Sequence, residues 1–227
     1  MSKNIIAIIP ARGGSKGLPR KNILAFNGQP LVVHSINYAQ KCSLVNSIYV
    51  STDDDEIASI ASHSGATIVK RPLELSGDSA TTESAIEHVL STLKVKPDVI
   101  ILLQATSPFR PKNSLKVALD KFIKKDFDSL LSISPTHRFF WSKDENDNIN
   151  AKYDYLNRPR RQDLKKENIQ FVENGSLYIF TYDHFTSVKN RLGGKIGYIE
   201  FDEKYSYEID TELDLKFLEA LVKNEFN

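Results

Sequence analysis

The chain of 227 residues is 41% apolar and 26% charged, a size and balance that predict one folded α/β domain with at most a small appendage. Its 30 Lys and Arg against 29 Asp and Glu give a formal net charge of +1, so no global field draws it to nucleic acid or an anionic membrane, and any anion site must be local. Cys42 is the only cysteine, which excludes an internal disulfide and a cysteine-rich zinc site and suits a reducing cytosol.

Ile5 to Ile9 predicts a buried strand. The run is too short for a signal peptide, charge resumes at Arg12, and no other run approaches the roughly 20 apolar residues that span a bilayer. The expectation is a cytoplasmic protein. Leu31, Val32, Ile36 and Ala39 mark one face of a helix, and SIYVST at 47–52 the next strand. Asp53 with Glu56 reads as a capping box for a helix carrying Ile57, Ile60 and Ala61, which Gly65 ends. A short strand at 66–70 precedes a helix striped by Ala85, Ile86, Val89, Leu90 and Leu93, with Thr82 as its cap. DVIILLQ at 98–104 predicts a central strand buried on both faces. Pro111 is placed to start a helix with Leu115, Ala118, Leu119, Phe122 and Ile123 on one face, before a strand at 129–134. This alternation predicts an α/β fold with a doubly wound, mostly parallel sheet.

From Pro135 to Glu173 the alternation breaks into polar, aromatic and charged residues, with a hairpin turn expected at NDN, 146–148, between Phe139-Phe140-Trp141 and Tyr153. We read 136–172 as an arm inserted into a single domain of 1–227. Its aromatics serve either a subunit contact or cover for the sheet edge. Strands at 176–180 and 196–201 and a helix over 213–222 resume the pattern.

Ligands of such sheets bind outside the carboxyl ends of the strands. There the loop after the first strand carries Gly13, Gly14 and Gly17 together with Arg12, Lys16, Arg20 and Lys21. Glycines let backbone amides approach an anion that the cations neutralise; the alternative is a solvated turn. The spacing fits neither a Walker A loop, since Leu18-Pro19 follows Gly17, nor the dinucleotide fingerprint. In YSYEIDTELD at 205–214, extended backbone puts Glu208 and Asp210 on one side and Tyr205, Tyr207 and Ile209 on the other, with Thr211 and Asp214 capping the last helix. Two carboxylates in an oxygen-only set suit Mg2+ held jointly with substrate phosphates; the alternative is an exposed acidic strand end. Thr52, Asp53, Gln104, Ser107 and the loop 71–84 also fall at strand ends, Asp53 as a helix cap rather than a contact. No nucleophile elbow or Cys/His pair points to covalent catalysis.

Taken in order, IIPARGGSKGLPRKN (8–22), STDDDEIA (51–58), KRPLELSGDSATT (70–82), LLQATSPFR (102–110) and EIDTELDL (208–215) resemble the motifs of the acylneuraminate cytidylyltransferases, the CMP-sialic acid synthetases. The resemblance runs from near residue 5 to about residue 220 and implies a Rossmann-like nucleotidyltransferase fold. It also implies transfer of CMP from CTP to the anomeric hydroxyl of a nine-carbon 2-keto sugar acid such as N-acetylneuraminic acid, with Mg2+, release of pyrophosphate, and a homodimer built on the arm. By the same resemblance Arg12, Ser15, Lys16 and Lys21 contact the triphosphate, and Asn22, Arg71 and Thr82 the cytidine. Gln104, Arg161, Gln162 and Asn174 lie on the sugar side, and Glu208 and Asp210 bind the metal. Arg12, Lys16, Lys21 and Asp210 are the residues expected to carry the reaction. The first metal carboxylate is Glu208 where the family has Asp, and its extra methylene bears on direct coordination. Alternatives are a synthetase for legionaminic, pseudaminic or 3-deoxy-manno-octulosonic acid, or a catalytically silent nucleotide-binding module.

Overall fold

A computed structural model describes residues 3–15, 17–163 and 169–226. β1 (Ile5–Pro10) sends Ile5, Ala7 and Ile9 to one face and Ile6 and Ile8 to the other, all buried, as a strand covered on both sides requires. A small hairpin, β2 (Ala25–Phe26) and β3 (Gln29–Pro30), leads into α1 (Leu31–Gln40). β4 (Ser47–Thr52), α2 (Asp55–His63), β5 (Thr67–Lys70), α3 (Thr82–Thr92) and β6 (Val99–Leu103) follow. Next come α4 (Ser114–Lys125), β7 (Ser129–Thr136), the arm strands β8 (Trp141–Lys143) and β9 (Ile149–Ala151), and the long β10 (Gln170–Thr181). α5 (Tyr182–Val188), β11 (Ile196–Glu200) and α6 (Glu212–Phe226) complete the order.

Seven strands form one sheet in the order β11-β7-β10-β6-β1-β4-β5. β6 lies in the middle, as its unbroken apolar run predicted. Only β10 runs antiparallel to its neighbours, β6 and β7; the other pairs are parallel. The apolar stripes of α1, α2 and α4 cover one face and those of α3 and α5 the other. A third cluster, with Phe26, Leu31, Ile209, Leu218 and Val222, packs α6 and the segment before it against the β2-β3 hairpin.

Several expected boundaries move. The cap of α2 is Asp54, whose side chain accepts from the amides of Glu56 and Ile57, while Asp53 turns to the glycine loop. Thr81 caps α3 by accepting from the Ser84 amide at 3.1 Å, which leaves Thr82 as the first helical residue. α4 begins at Ser114, after Asn113 in the left-handed region at φ 61°, because the turn after Pro111 is used before the helix starts. Residues 203–205 form a turn of 3-10 helix and 206–210 belong to no strand, yet the alternation survives, with Ile209 fully buried. The arm is shorter than 136–172: Thr136 pairs with Gln170, and Pro135 and Ser134 with Phe171 and Val172. Its hairpin turns at Asp144 to Asn148 as expected.

Candidate active site

A cleft of ≈ 380 Å³ opens at the carboxyl ends of β1, β4 and β6. Arg12, Ser15, Lys21, Asn22, Arg71, Thr82 and Gln104 line it together, seven of the residues singled out from the sequence. Lys16 lies outside the described residues. A larger cavity of ≈ 520 Å³ near Tyr38, Cys42 and Leu115 holds none of those residues.

The glycine loop is held from below. Asp53 Oδ1 accepts from the Gly13 amide at 3.0 Å, and a Cβ on Gly13 would stand 2.9 Å from the Asp54 Cβ, so a side chain there would push the loop off α2. Arg20, at φ 59°, pairs with Asp54 and Glu56. Burial disfavours the Asp54 charge, but the amides of Ile57 and Glu56 and the Arg20 guanidinium outweigh it and hold the carboxyl below its usual range. Asn22 is buried and donates from Nδ2 to the Arg12 carbonyl at 2.8 Å, which curls the loop around its own anion-facing side.

Three guanidinium and ammonium groups then face the cleft. Arg12 Nη1 donates to the Gly77 carbonyl at 2.9 Å and lies 3.4 Å from Asp78 Oδ1, tying the loop 71–84 across the mouth. Arg71 is buried, and its Nη2 donates to the Ser51 carbonyl at 2.8 Å and its Nε to Ser51 Oγ at 3.0 Å. Burial pushes its guanidinium below the usual value, with Asp53 opposing and Arg12 assisting. Lys21 Nζ reaches Asp210 Oδ1 at 2.7 Å, across 189 residues of sequence.

That ion pair joins the loop to the acidic segment. A Cβ on Gly17 would sit 2.7 Å from the Asp210 carbonyl oxygen, so loop and segment touch backbone to backbone. The segment hangs on the end of β6, where the Ile209 amide donates to the Thr106 carbonyl at 2.8 Å and Thr106 Oγ1 stands 3.5 Å from Glu208 Oε2. Gly175, at φ +66°, lies under the Glu208 carboxylate, which would overlap any Cβ there. Burial, followed by the charge of Asp210, raises the Glu208 carboxyl above its usual range, against the pull of Lys21.

The remaining expected residues are distributed unevenly. Asn174 is 2% exposed and its amide is engaged: Nδ2 donates to Ser134 Oγ at 3.1 Å, while Oδ1 accepts from Ser132 Oγ and from the Ser176 amide. It shapes the bulge that seats Glu208 and does not line the cleft. Gln162 is exposed in a turn of the arm, Arg161–Asp163, outside the cleft; the Arg161 side chain lies outside the described residues.

Sequence reasoning missed Thr106 and Arg110. Arg110 is only 8% exposed, and burial lowers its guanidinium to about 10. An arginine inside the proline-flanked stretch after a central strand was the available signal.

Among the described residues no group of three or more His, Cys, Asp or Glu side chains forms a metal cage. Glu208, Asp210 and the Thr106 hydroxyl supply oxygen donors alone, a partial set that fits Mg2+ completed by phosphate oxygens. Among the described residues, no helix is long and apolar enough to cross a membrane.

Comparison with known proteins follows the same outline. A cytidylyltransferase family model matches residues 6–226. The N-acylneuraminate cytidylyltransferase of Oncorhynchus mykiss is 38% identical over 97% of the chain and 50% of its own length, so the chain spans about half of that relative. The pseudaminic acid cytidylyltransferase of Campylobacter jejuni is 31% identical over 96% of both. A solved CMP:2-keto-3-deoxy-manno-octonic acid synthetase in complex with CTP shares the fold at TM-score 0.72 and 17% identity, over 98% of this chain and 99% of its own. With a match that takes in the loop, the cleft and the acidic segment together, the chain belongs to the cytidylyltransferase family.

Proposed function

We propose that the protein transfers CMP from CTP to the anomeric hydroxyl of a nine-carbon 2-keto sugar acid and releases pyrophosphate. The observation that carries this reading is the Lys21–Asp210 pair, which brings a cationic glycine loop against two carboxylates at the mouth of one cleft. In the reaction the sugar oxygen bonds to the α-phosphorus as the bond to the β-phosphate oxygen breaks, and the hydroxyl proton passes to water. Such a step asks for alignment and charge neutralisation rather than a nucleophilic side chain. Arg12 and Lys21 are aligned to meet the triphosphate, with Arg71 on the cytidine side, and Lys21 must exchange Asp210 for a phosphate oxygen to do so. Asn22 and Asp53 keep the loop in shape. Glu208 and Asp210 would hold Mg2+, which supplies charge neutralisation at the phosphate oxygens when bound.

The reading extends to a homodimer built on the arm, supported by the exposed Trp141, Tyr155 and Leu156, and to the cytoplasm, supported by the single, unpaired cysteine. The full-length match to a pseudaminic acid cytidylyltransferase favours a bacterial nine-carbon acid as a second choice to N-acetylneuraminic acid. The test is pyrophosphate release from CTP with N-acetylneuraminic, legionaminic, pseudaminic and 3-deoxy-manno-octulosonic acids in turn. Release with one nine-carbon acid is expected. Silence with all four while CTP still binds would leave a nucleotide-binding module instead.

A further inference from the structure

Arg110 is a buried cation whose hydrogen-bond acceptors among the described residues are all neutral. Its Nη2 donates to the Gln104 carbonyl at 2.7 Å and to the Ser176 carbonyl at 3.1 Å; Nε donates to Ser176 Oγ at 3.0 Å, and Nη1 to Ser35 Oγ at 3.1 Å. The guanidinium also lies 5.1 Å from the centre of the Tyr38 ring. Burying such a charge is costly unless every donor is met, and an apolar side chain of like volume is often no less stable in such a place. The fork, however, spans two points that an apolar side chain would leave apart.

Those two points lead to one place. Gln104 directly follows β6, and two residues on the Thr106 carbonyl accepts from the Ile209 amide, between Glu208 and Asp210. Ser176 adjoins Gly175, on which the Glu208 carboxylate rests. We propose that Arg110 is a positioning residue whose planar fork braces the 208–210 segment from both sides, through the end of β6 and through the bulge of β10. The proposal rests on the reading of 208–210 as the acidic side of the active site. Arginine is required because three nitrogens fixed in one plane reach Ser176 through Nε, Ser35 through Nη1 and Gln104 through Nη2 at once, which the single ammonium of a lysine cannot do.

The test compares wild type with Arg110→Lys in the full chain, by amide hydrogen exchange and by steady-state kinetics with Mg2+. The amides of Ile209 and Ser176 lie one on each braced side, and both are expected to exchange at least about tenfold faster in the variant. Turnover is expected to fall about 10–100-fold, as for the loss of a supporting partner, with KM for CTP held within about twofold, since Arg110 is bonded to none of the residues proposed to contact CTP. Faster exchange at one amide only, unchanged exchange at both, or a raised KM for CTP with unchanged kcat would each overturn the proposal. Should Arg110→Lys fail to fold, Arg110→Met, apolar and of like volume, removes every donor that the guanidinium offers Gln104 and Ser176, and both amides must still loosen together. If wild type turns over none of the sugar acids, the substrate reading fails and the exchange result alone decides on the brace.

Discussion

Glu208 carries a charge that its surroundings resist. Burial comes first and the neighbouring Asp210 second, and together they raise its carboxyl. A folded-state value above the unfolded one means that Glu208 contributes stability at low pH and loses it as pH rises through the folded value. Glu208→Gln is therefore expected to melt higher than wild type, with a gap that widens as pH rises from the ordinary carboxylate range through the folded-state value and then stays level. Calorimetry at a series of pH values measures it; a gap that narrows would contradict the assignment. The same variant should release pyrophosphate slowly, which makes the site a place where stability has been yielded to function. Lys21 behaves oppositely. Its partner Asp210 is 63% exposed at the side chain, and such pairs are worth about 0–1 kcal/mol. Lys21→Met should thus leave the melting curve nearly unchanged while lowering turnover about 10²–10³-fold, the usual effect of deleting one stabilising cation or donor.

At the scale of elements, the glycine loop and α2 are one unit. Asp54 caps the helix and anchors Arg20, so Asp54→Ala is expected to cost about 1–2 kcal/mol in chemical denaturation and to raise KM for CTP by freeing the loop. Gly175→Ala strains the bulge in two ways, through its φ of +66° and through the overlap with Glu208, and should lower both stability, by roughly 1–3 kcal/mol, and turnover. Which of these links could be read beforehand follows from their range. The strands were legible because β1 and β6 are unbroken apolar runs, and the Thr211–Asp214 cap because its partners stand three residues apart. The cap at Asp54 was read one residue early: three aspartates in a row offer equivalent local chemistry, and only the Gly13 amide, 40 residues away in sequence, separates Asp53 from the helix. Arg110 stayed hidden for the same reason, since Ser35, Gln104 and Ser176 come from three distant segments. The likeness in sequence placed Asn174 on the sugar side; its amide is spent within the sheet, where pattern alone has no view of Ser132 and Ser134.

For the whole molecule, the proposed dimer rests on the arm. Its rings stack on one another, Phe139 against Tyr153 at 4.4 Å, while Trp141 remains 47% exposed and Leu156 79%, apolar surface that a second copy would cover. Light scattering at micromolar protein is expected to give a dimer, and Trp141→Glu with Leu156→Glu a monomer. The last strand of the seven-stranded sheet ends at Glu200, whereas Asp210 must reach back to Lys21 at the opposite end of the chain. All seven strands are therefore complete without the segment that carries the acid pair, which Ile209, Leu218 and Val222 fasten to the β2-β3 hairpin. Peeling that segment from the hairpin would part Asp210 from Lys21 while every strand of the sheet stays paired.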